Sequence, residues 1–310
     1  MKRLPVLDGE QLALAGVSVP EALAAIEAGL VALARNEAQQ PPPPVISPGA
    51  GAFFQPLTAA LPRDHVACVN WLSYHPGNPA KGLPHSGGLL ILNDFETGTP
   101  LCIMDGIWIS LRRAGYIAGL GVKYLAGQFE DIALIGPGAI AACAIDAIAS
   151  LGPIKGQVRV YGRRIESAQQ FCTETSSRLG LRAVPYSDPR AAVSGVRLVL
   201  TSTSHTGPPF LERGWLDHGT LVVMIDRLRV VTRELLGQAG RIVTNSRESL
   251  ARWGFDAKDR APLVLPDIIA AGHPQPVHTD EIVLYDAAGI AVADLAFAAL
   301  LWRRLREKSD

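Results

Sequence analysis

The chain has 310 residues with 29 basic and 29 acidic side chains, so its formal net charge is zero. Hydrophobic residues make up 48% of it and charged residues 19%, a composition that supplies apolar cores for roughly two domains and excludes disorder as a description of the whole chain. Nucleic acids and anionic membranes require a basic surface excess. The neutral charge therefore argues against both partners.

Four widely separated cysteines, Cys68, Cys102, Cys143 and Cys172, form no C-x-x-C pair. This predicts a reducing, cytoplasmic location rather than a disulfide framework. The histidines and cysteines lack the spacing of zinc ligands, so we predict no metal. The first residues lack an apolar core, and no stretch offers about 20 uninterrupted apolar residues. We therefore expect neither a signal peptide nor a membrane span.

The first hundred residues predict a helix followed by an antiparallel sheet. Residues 18–38 carry apolar side chains at helical spacing behind Ser18, a plausible N-cap. The prolines at 41–44 end this helix, and we interpret them as a stiff connector inside a domain. Short apolar runs at 66–72, 87–92 and 101–104 alternate with turn residues.

After Ile107 the pattern becomes one of alternating helices and strands. It predicts helices at 109–127, from the glycine turn to about residue 150, at 166–179 and at 290–306, and strands at 132–135, 158–161, 196–201 and 220–225. This alternation is typical of βαβ units. The expected fold is α/β, with a Rossmann-type doubly wound parallel sheet.

A glycine motif follows the strand at 132–135. It reads Gly136-Pro137-Gly138-Ala139-Ile140-Ala141, which is G-x-G-x-x-A between a strand and a helix. The first glycine permits the tight turn, the second lets the backbone approach a pyrophosphate, and the helix N-terminus favours the anion. The motif predicts a dinucleotide site, the alternative being a purely structural turn.

The next strand bears on the choice of nucleotide. An NAD enzyme usually has an acid there to bind the ribose 2′-hydroxyl, whereas here the strand is followed by Gly162, Arg163 and Arg164. Two guanidiniums suit a 2′-phosphate, so we favour NADP(H) over NAD(H). The alternative is that both arginines are solvated turn residues.

Further motifs, in order and at matching spacing, make residues 65–300 resemble the ornithine cyclodeaminase/μ-crystallin family. They are Pro76-Gly77-Asn78-Pro79, Gly82-Leu83-Pro84, Leu92-Asn93-Asp94, Met104-Asp105-Gly106, Ile109-Ser110-x-x-Arg113, the glycine motif, Gly207-Pro208-Pro209-Phe210 and Gly289-x-Ala291-x-x-Asp294. The stretch 82–100 looks most like the branch that forms 2,3-diaminopropionate.

The resemblance implies a Rossmann domain over 125–285 and an α+β substrate and dimerisation domain over 1–124, completed by 286–310. It further implies a homodimer and hydride transfer between a nicotinamide and the α-carbon of an amino or imino acid. Two alternatives stay open: oxidative hydrolysis of an N-linked amino-acid adduct to 2,3-diaminopropionate, and a non-catalytic NADPH-binding protein like μ-crystallin.

The chain departs from the family at several site positions. Asn70 stands where the family usually has a lysine that binds the substrate carboxylate, and Ala114 replaces a threonine. An arginine expected near 44–46 is missing, and the acid expected near Leu228 occurs instead at Asp226. The substrate pocket thus loses positive charge, which indicates either a new substrate or lost catalysis.

We interpret Arg113 as a ligand of a substrate carboxylate, or else as half of an interdomain ion pair. Asn70, Asn78 and Asp294 are also expected at the substrate, with a helix-terminal charge as the alternative for Asp294. The candidates for moving a proton are Asp226, His75 and His85, against structural roles for each. Thr201, Ser202 and Thr203 end a strand and are expected to contact the nicotinamide ribose, the alternative being that they merely end the strand. Asp226 is also expected at the cofactor.

Overall fold

A computed structural model describes residues 4–226, 228–246, 261–287 and 289–308. The chain divides into two compact units, one formed by Met1–Arg113 with Ile290–Asp310 and the other by Ala114–Gly289. The expected boundaries are 124/125 and 285/286; the observed divisions at 113/114 and 289/290 lie 11 residues before the first and 4 residues after the second. The first division falls inside a helix, which no change in composition marks.

The first unit is an α+β fold built around one sheet. Its six strands are β1 (Val6–Leu7), β2 (Ile46–Gly49), β3 (Ala52–Leu61), β4 (Val66–Tyr74), β5 (Ser86–Asp94) and β6 (Pro100–Asp105). They lie in the order β1-β6-β5-β4-β3-β2, and all neighbours are antiparallel except β1 and β6. The predicted antiparallel sheet is therefore present, and it also contains the long strand β3, which none of the predicted apolar runs covers.

Helices α1 (Gly9–Ala13), α2 (Val19–Ala34) and the first part of α3 (Gly106–Leu125) belong to this unit. Ser18 caps α2 in a capping box with Glu21, as its sequence predicts. The C-terminal helix, Ala291–Glu307, packs against α2 and across β3, β4 and β5. It covers the sheet face that carries the buried side chains of Leu61, Cys68 and Leu90.

The second unit contains an eight-stranded parallel sheet. Its strands are β7 (Ile132–Ile135), β8 (Gln157–Tyr161), β9 (Arg182–Tyr186), β10 (Leu198–Thr201), β11 (Thr220–Met224), β12 (Arg241–Thr244), β13 (Leu263–Val264) and β14 (Ile282–Asp286). The order is β13-β12-β14-β11-β10-β7-β8-β9. From β9 to β11 this is the 3-2-1-4-5 order of a dinucleotide-binding Rossmann sheet, so the predicted fold class is confirmed.

The helices that follow these strands are α4 (Ala139–Leu151), α5 (Ile165–Leu179), α6 (Pro189–Val193), α7 (Arg233–Gln238) and α8 (Leu265–Ala271), and the C-terminal helix is α9. All four residues of β7 and all four of β10 are buried. Continuous apolar burial is what a parallel sheet covered on both faces requires. No helix in the described ranges is long and apolar enough to span a membrane.

Candidate functional site: a dinucleotide cradle and a buried polar cluster

The carboxyl end of β7 forms a turn that approaches its neighbours closely. Gly136 has a φ of +98°, and its amide donates to the carbonyl of Tyr161 at 2.9 Å. A Cβ built on Gly136 would lie 2.4 Å from the carbonyl oxygen of Ser202. Both facts make a side chain at this position unfavourable, as the first glycine of a dinucleotide motif requires.

Gly138 differs from Gly136 in its surroundings. It is the N-cap of α4, has extended backbone, and receives no side-chain capping bond within the described chain. No described heavy atom lies within 4 Å of a Cβ built on it, apart from its immediate neighbours. Pro137, Ala139 and Ile140 complete the turn. The open space beside Gly138, together with an uncapped helix N-terminus, fits a bound pyrophosphate.

Register places the other predicted cofactor residues at the same edge of the sheet. Ile135 pairs with Tyr161 on one side and with Thr201 on the other. Gly162, Arg163 and Arg164 therefore follow β8 beside the glycine turn, and both arginines are exposed. Thr201, Ser202 and Thr203 lie on the opposite side of that turn. The strand order reverses between β7 and β10, where such sheets bind ligands.

Asp226 lies at this edge, two residues after β11. Thr201 Oγ1 donates to its Oδ1 at 2.5 Å, and the Thr203 amide donates to its Oδ2 at 2.9 Å. Burial raises the pKa of Asp226 to about 6, although these hydrogen bonds and the charge of Arg229 act to lower it. The carboxyl therefore exchanges a proton close to neutral pH.

A second set of predicted residues comes together in the first unit. Asp294, in the first turn of α9, is fully buried, and Arg113 is 4% exposed. Arg113 Nε donates to Asp294 Oδ1 at 2.8 Å, and Nη2 reaches Oδ2 at 3.5 Å. Burial raises the pKa of Asp294, while the Arg113 guanidinium and the Asn70 amide oppose this change. Arg113 thus pairs with an acid of its own unit, whereas the alternative expected for it was an interdomain ion pair. Its role at a substrate carboxylate stays a prediction.

Asn70 completes the buried cluster from β4. It is fully buried, and its Nδ2 donates to Ser110 Oγ at 3.0 Å. Its Oδ1 has no hydrogen-bond donor among the described residues. Arg113 and Asp294 carry opposite charges, so with a neutral amide at residue 70 the cluster has a formal charge of zero. Ser110 was missed as a site residue, although it precedes Arg113 by three positions on one helix face.

The remaining candidates lie around the loop between β4 and β5. The amide of His75 donates to the carbonyl of His85 at 2.7 Å. The His75 ring meets the edge of Phe54 at 5.3 Å between centroids, whereas the exposed His85 places Nδ1 2.7 Å from Ser86 Oγ. Asn78 Nδ2 donates to the carbonyl of Pro84 at 3.0 Å, a bond within the loop. Their predicted roles at a substrate stay predictions.

Comparison with known proteins agrees with this geometry. The family model described as the ornithine cyclodeaminase/mu-crystallin family matches residues 14–309. An alanine dehydrogenase of Archaeoglobus fulgidus is 28% identical over 308 residues, covering 94% of this chain and 92% of that protein. The N-((2S)-2-amino-2-carboxyethyl)-L-glutamate dehydrogenase of Staphylococcus aureus is 25% identical over 304 residues, covering 92% and 90%.

A solved archaeal alanine dehydrogenase dimer with bound NAD superposes with a TM-score of 0.88 at 26% identity, covering 99% of this chain and 97% of that one. The fold and the glycine turn define a dinucleotide-binding Rossmann protein. The chain belongs to the ornithine cyclodeaminase/mu-crystallin family, and it is an NAD(P)-dependent oxidoreductase of that family. The resemblance inferred from the motifs is thereby confirmed.

Proposed function

We propose that this enzyme transfers hydride between a nicotinamide and the α-carbon of an amino or imino acid, by imine reduction or by oxidative deamination. The guanidinium of Arg113 carries this proposal. Asp294 occupies its Nε edge, while Nη1 makes no hydrogen bond to a described residue. A carboxylate is the group that the remaining guanidinium edge binds best.

In this proposal Asp226 is the group that donates the proton to the substrate nitrogen, or accepts it in the reverse direction. When bound, the nicotinamide gives or accepts a hydride at C4. In reduction the α-carbon gains that hydride and the imine nitrogen gains a proton; in oxidation both leave. A group whose pKa lies about 6 is suited to either direction near neutral pH. His75 and His85 are the alternative donors.

Arg163 and Arg164 support NADP(H) as the preferred cofactor. Both are exposed after β8 and make no ion pair with any other described residue, so a 2′-phosphate would not have to displace a partner. The solved alanine dehydrogenase holds NAD, which makes this preference a property to be tested on this chain.

We expect the double variant Arg163→Ala/Arg164→Ala to bind NADPH about 10- to 100-fold more weakly, because two charge-assisted contacts are lost, and to bind NADH unchanged. Fluorescence titration of the bound dinucleotides measures both affinities. Arg182→Ala is the matched control, since exposed Arg182 begins β9 at the amino edge of the sheet. Equal weakening for NADH and NADPH would contradict the assignment.

We further propose a homodimer formed through the uncovered face of the first unit's sheet. Trp71 and Leu89 pair across β4 and β5 and are 42% and 54% exposed, and Phe54 stacks on Trp71 at 5.9 Å. Adjacent exposed apolar side chains mark an interaction surface, and the solved alanine dehydrogenase is described as a dimer.

We expect Leu89→Glu to convert the dimer into a monomer, because a carboxylate would be buried without a partner at the interface. Light scattering coupled to size-exclusion chromatography gives the mass, with Leu83→Glu as a control at a loop position that is 55% exposed. A wild-type mass near 33 kDa would refute the dimer.

A panel of amino acids with NAD(P)⁺, and of 2-oxo acids or cyclic imines with NAD(P)H, tests the reaction at 340 nm. A dinucleotide-dependent absorbance change with one substrate class supports the proposal. Tight dinucleotide binding without turnover on any member of the panel would contradict the proposed reaction.

Oxidative hydrolysis is the second candidate, because the Staphylococcus aureus dehydrogenase matches over nine-tenths of both chains. Here the secondary amine of an N-linked adduct loses hydride and a proton, and water cleaves the imine to 2,3-diaminopropionate and a 2-oxo acid. Incubation of that relative's adduct with NAD⁺ and detection of both products by mass spectrometry decides between this reaction and simple deamination.

A further inference from the structure

Arg229 links the loops that follow β10 and β11 in the second unit. It lies three residues beyond Asp226, and its Nη1 donates to the carbonyl oxygen of His205 at 3.1 Å. The bond is partly buried and joins two segments that are 24 residues apart in the chain. The sequence alone marks Arg229 only as one of several arginines after β11.

The contacts of His205 lead back to the carboxylate. Its amide donates to Thr203 Oγ1 at 2.7 Å, and the Thr203 amide in turn donates to Asp226 Oδ2 at 2.9 Å. The His205 ring is held by the carbonyl of Pro208 at 2.9 Å from Nε2 and by the edge-on ring of Phe210. A closed path of hydrogen bonds therefore runs from Arg229 through the β10 loop to Asp226.

We propose that Arg229 is a positioning residue that pins segment 203–205 against Asp226 and holds that carboxylate in its ionised, hydrogen-bonded arrangement. It does so through a fixed cation and through the Thr203 amide that it keeps in place. This inference rests on the proton-transfer role proposed for Asp226. It adds the residue that sets the pH range in which Asp226 exchanges its proton.

The charged and titratable groups around Asp226 in the described residues are few. Arg229 belongs to its own loop, and His205 belongs to the loop after β10. Asp286 ends the neighbouring strand β14, where it pairs with Met224 and accepts from Thr244 Oγ1. The charge of Arg229 lowers the pKa of Asp226, so removal of this charge should raise that pKa.

The test compares unfolding of the full-length protein with and without a carboxyl group at residue 226. Asp226→Asn keeps the shape, since the amide oxygen accepts from the Thr203 amide and the amide nitrogen donates to Thr201 Oγ1. A folded-state pKa above that of the unfolded chain stabilises the protein at low pH, and this stabilisation is lost as pH rises through the folded value. The free energy of unfolding of the wild type, relative to that of Asp226→Asn, should therefore fall as pH rises from about 4. It should become constant above about pH 6, the folded-state pKa of Asp226.

When Arg229→Gln is compared with Arg229→Gln/Asp226→Asn, we expect the pH above which the difference in unfolding free energy is constant to be about 0.5–1 unit higher. The reason is that the positive charge that favours the ionised carboxylate is gone. Arg229→Lys keeps the charge and should stay near the wild-type position. Arg233→Gln is the matched control, since exposed Arg233 lies four residues further on, in the first position of α7.

An unmoved transition in Arg229→Gln overturns the proposal, as does an equal movement in Arg233→Gln or in Arg229→Lys. If urea unfolding of Arg229→Gln is not two-state, carbon-13 titration of labelled aspartates, with Asp226→Asn identifying the resonance, reports the same pKa in the folded protein. The proposed function can fail independently: absence of turnover on the substrate panel leaves this measurement unaffected.

Discussion

Replacement of Asp294 with alanine is expected to lower the free energy of unfolding by about 3–5 kcal/mol, because it leaves the Arg113 guanidinium buried without its counter-charge. Asp294 is fully buried and accepts from Arg113 Nε at 2.8 Å. Urea unfolding monitored by circular dichroism at neutral pH measures the loss. Because burial raises the folded-state pKa of Asp294, its stabilising contribution is largest at acidic pH and falls as pH rises through that pKa, so the loss should be larger at acidic pH than at neutral pH.

Arg304→Ala is the matched control for this prediction. Arg304 lies on α9, the helix that carries Asp294, and this variant removes its salt bridge to Glu21 of α2. Both side chains of that pair are about two-fifths exposed. Exposed pairs contribute about 0–1 kcal/mol, so this variant should be nearly as stable as the wild type. Equal losses in the two variants would contradict the role given to the buried pair. The double variant Arg113→Met/Asp294→Leu should recover much of the stability, since no unpaired charge remains.

Gly138→Asp is expected to abolish dinucleotide binding, with affinity falling by about 100-fold or more, while the protein stays folded. The backbone at Gly138 is extended and its surroundings are open, so an aspartate fits without strain. As an N-cap it stabilises α4. The same carboxylate would occupy the place and repel the charge of the pyrophosphate.

Opposite effects on stability and on binding separate this prediction from simple misfolding. Thermal unfolding and fluorescence titration with NADPH and NADH measure the two properties on one preparation. Gly214→Asp adds the same charge at an exposed, open position before β11 and should bind both dinucleotides as the wild type does. Retained affinity in Gly138→Asp would show that the turn at 136–141 does not hold the cofactor.

Local patterns were sufficient for most of the Rossmann elements. The strand at 132–135 was predicted with the bounds that the structure shows, because four apolar residues between an acid and a glycine turn have few alternatives. The strand at 182–186 was missed. It contains Pro185 and has polar ends, Arg182 and Tyr186, so its sequence lacks the apolar run of a buried strand, and it lies at the edge of the sheet. The strand at 282–286 was read only as part of an apolar stretch, and its insertion between β11 and β12 has no local signal.

The candidate sites divide in the same way. The glycine turn, the two arginines and the threonines at 201 and 203 could be placed at one sheet edge from the chain order of the strands. The partner of Arg113 could not, since Asp294 lies 181 residues away. The bond from Arg229 to His205 likewise depends on how two loops fold over the ends of β10 and β11.

The sequence by itself determined that the chain is a globular protein with a parallel-sheet fold, a dinucleotide motif and a recognisable family. These features depend on composition, on short-range periodicity and on residues a few positions apart. The tertiary structure decided which charges are paired. It showed that one edge of the Arg113 guanidinium is already bound to Asp294. It also showed that Asp226 is buried, which raises its pKa to about 6. Pairing and burial depend on which distant segments meet, and that information lies in the packed chain.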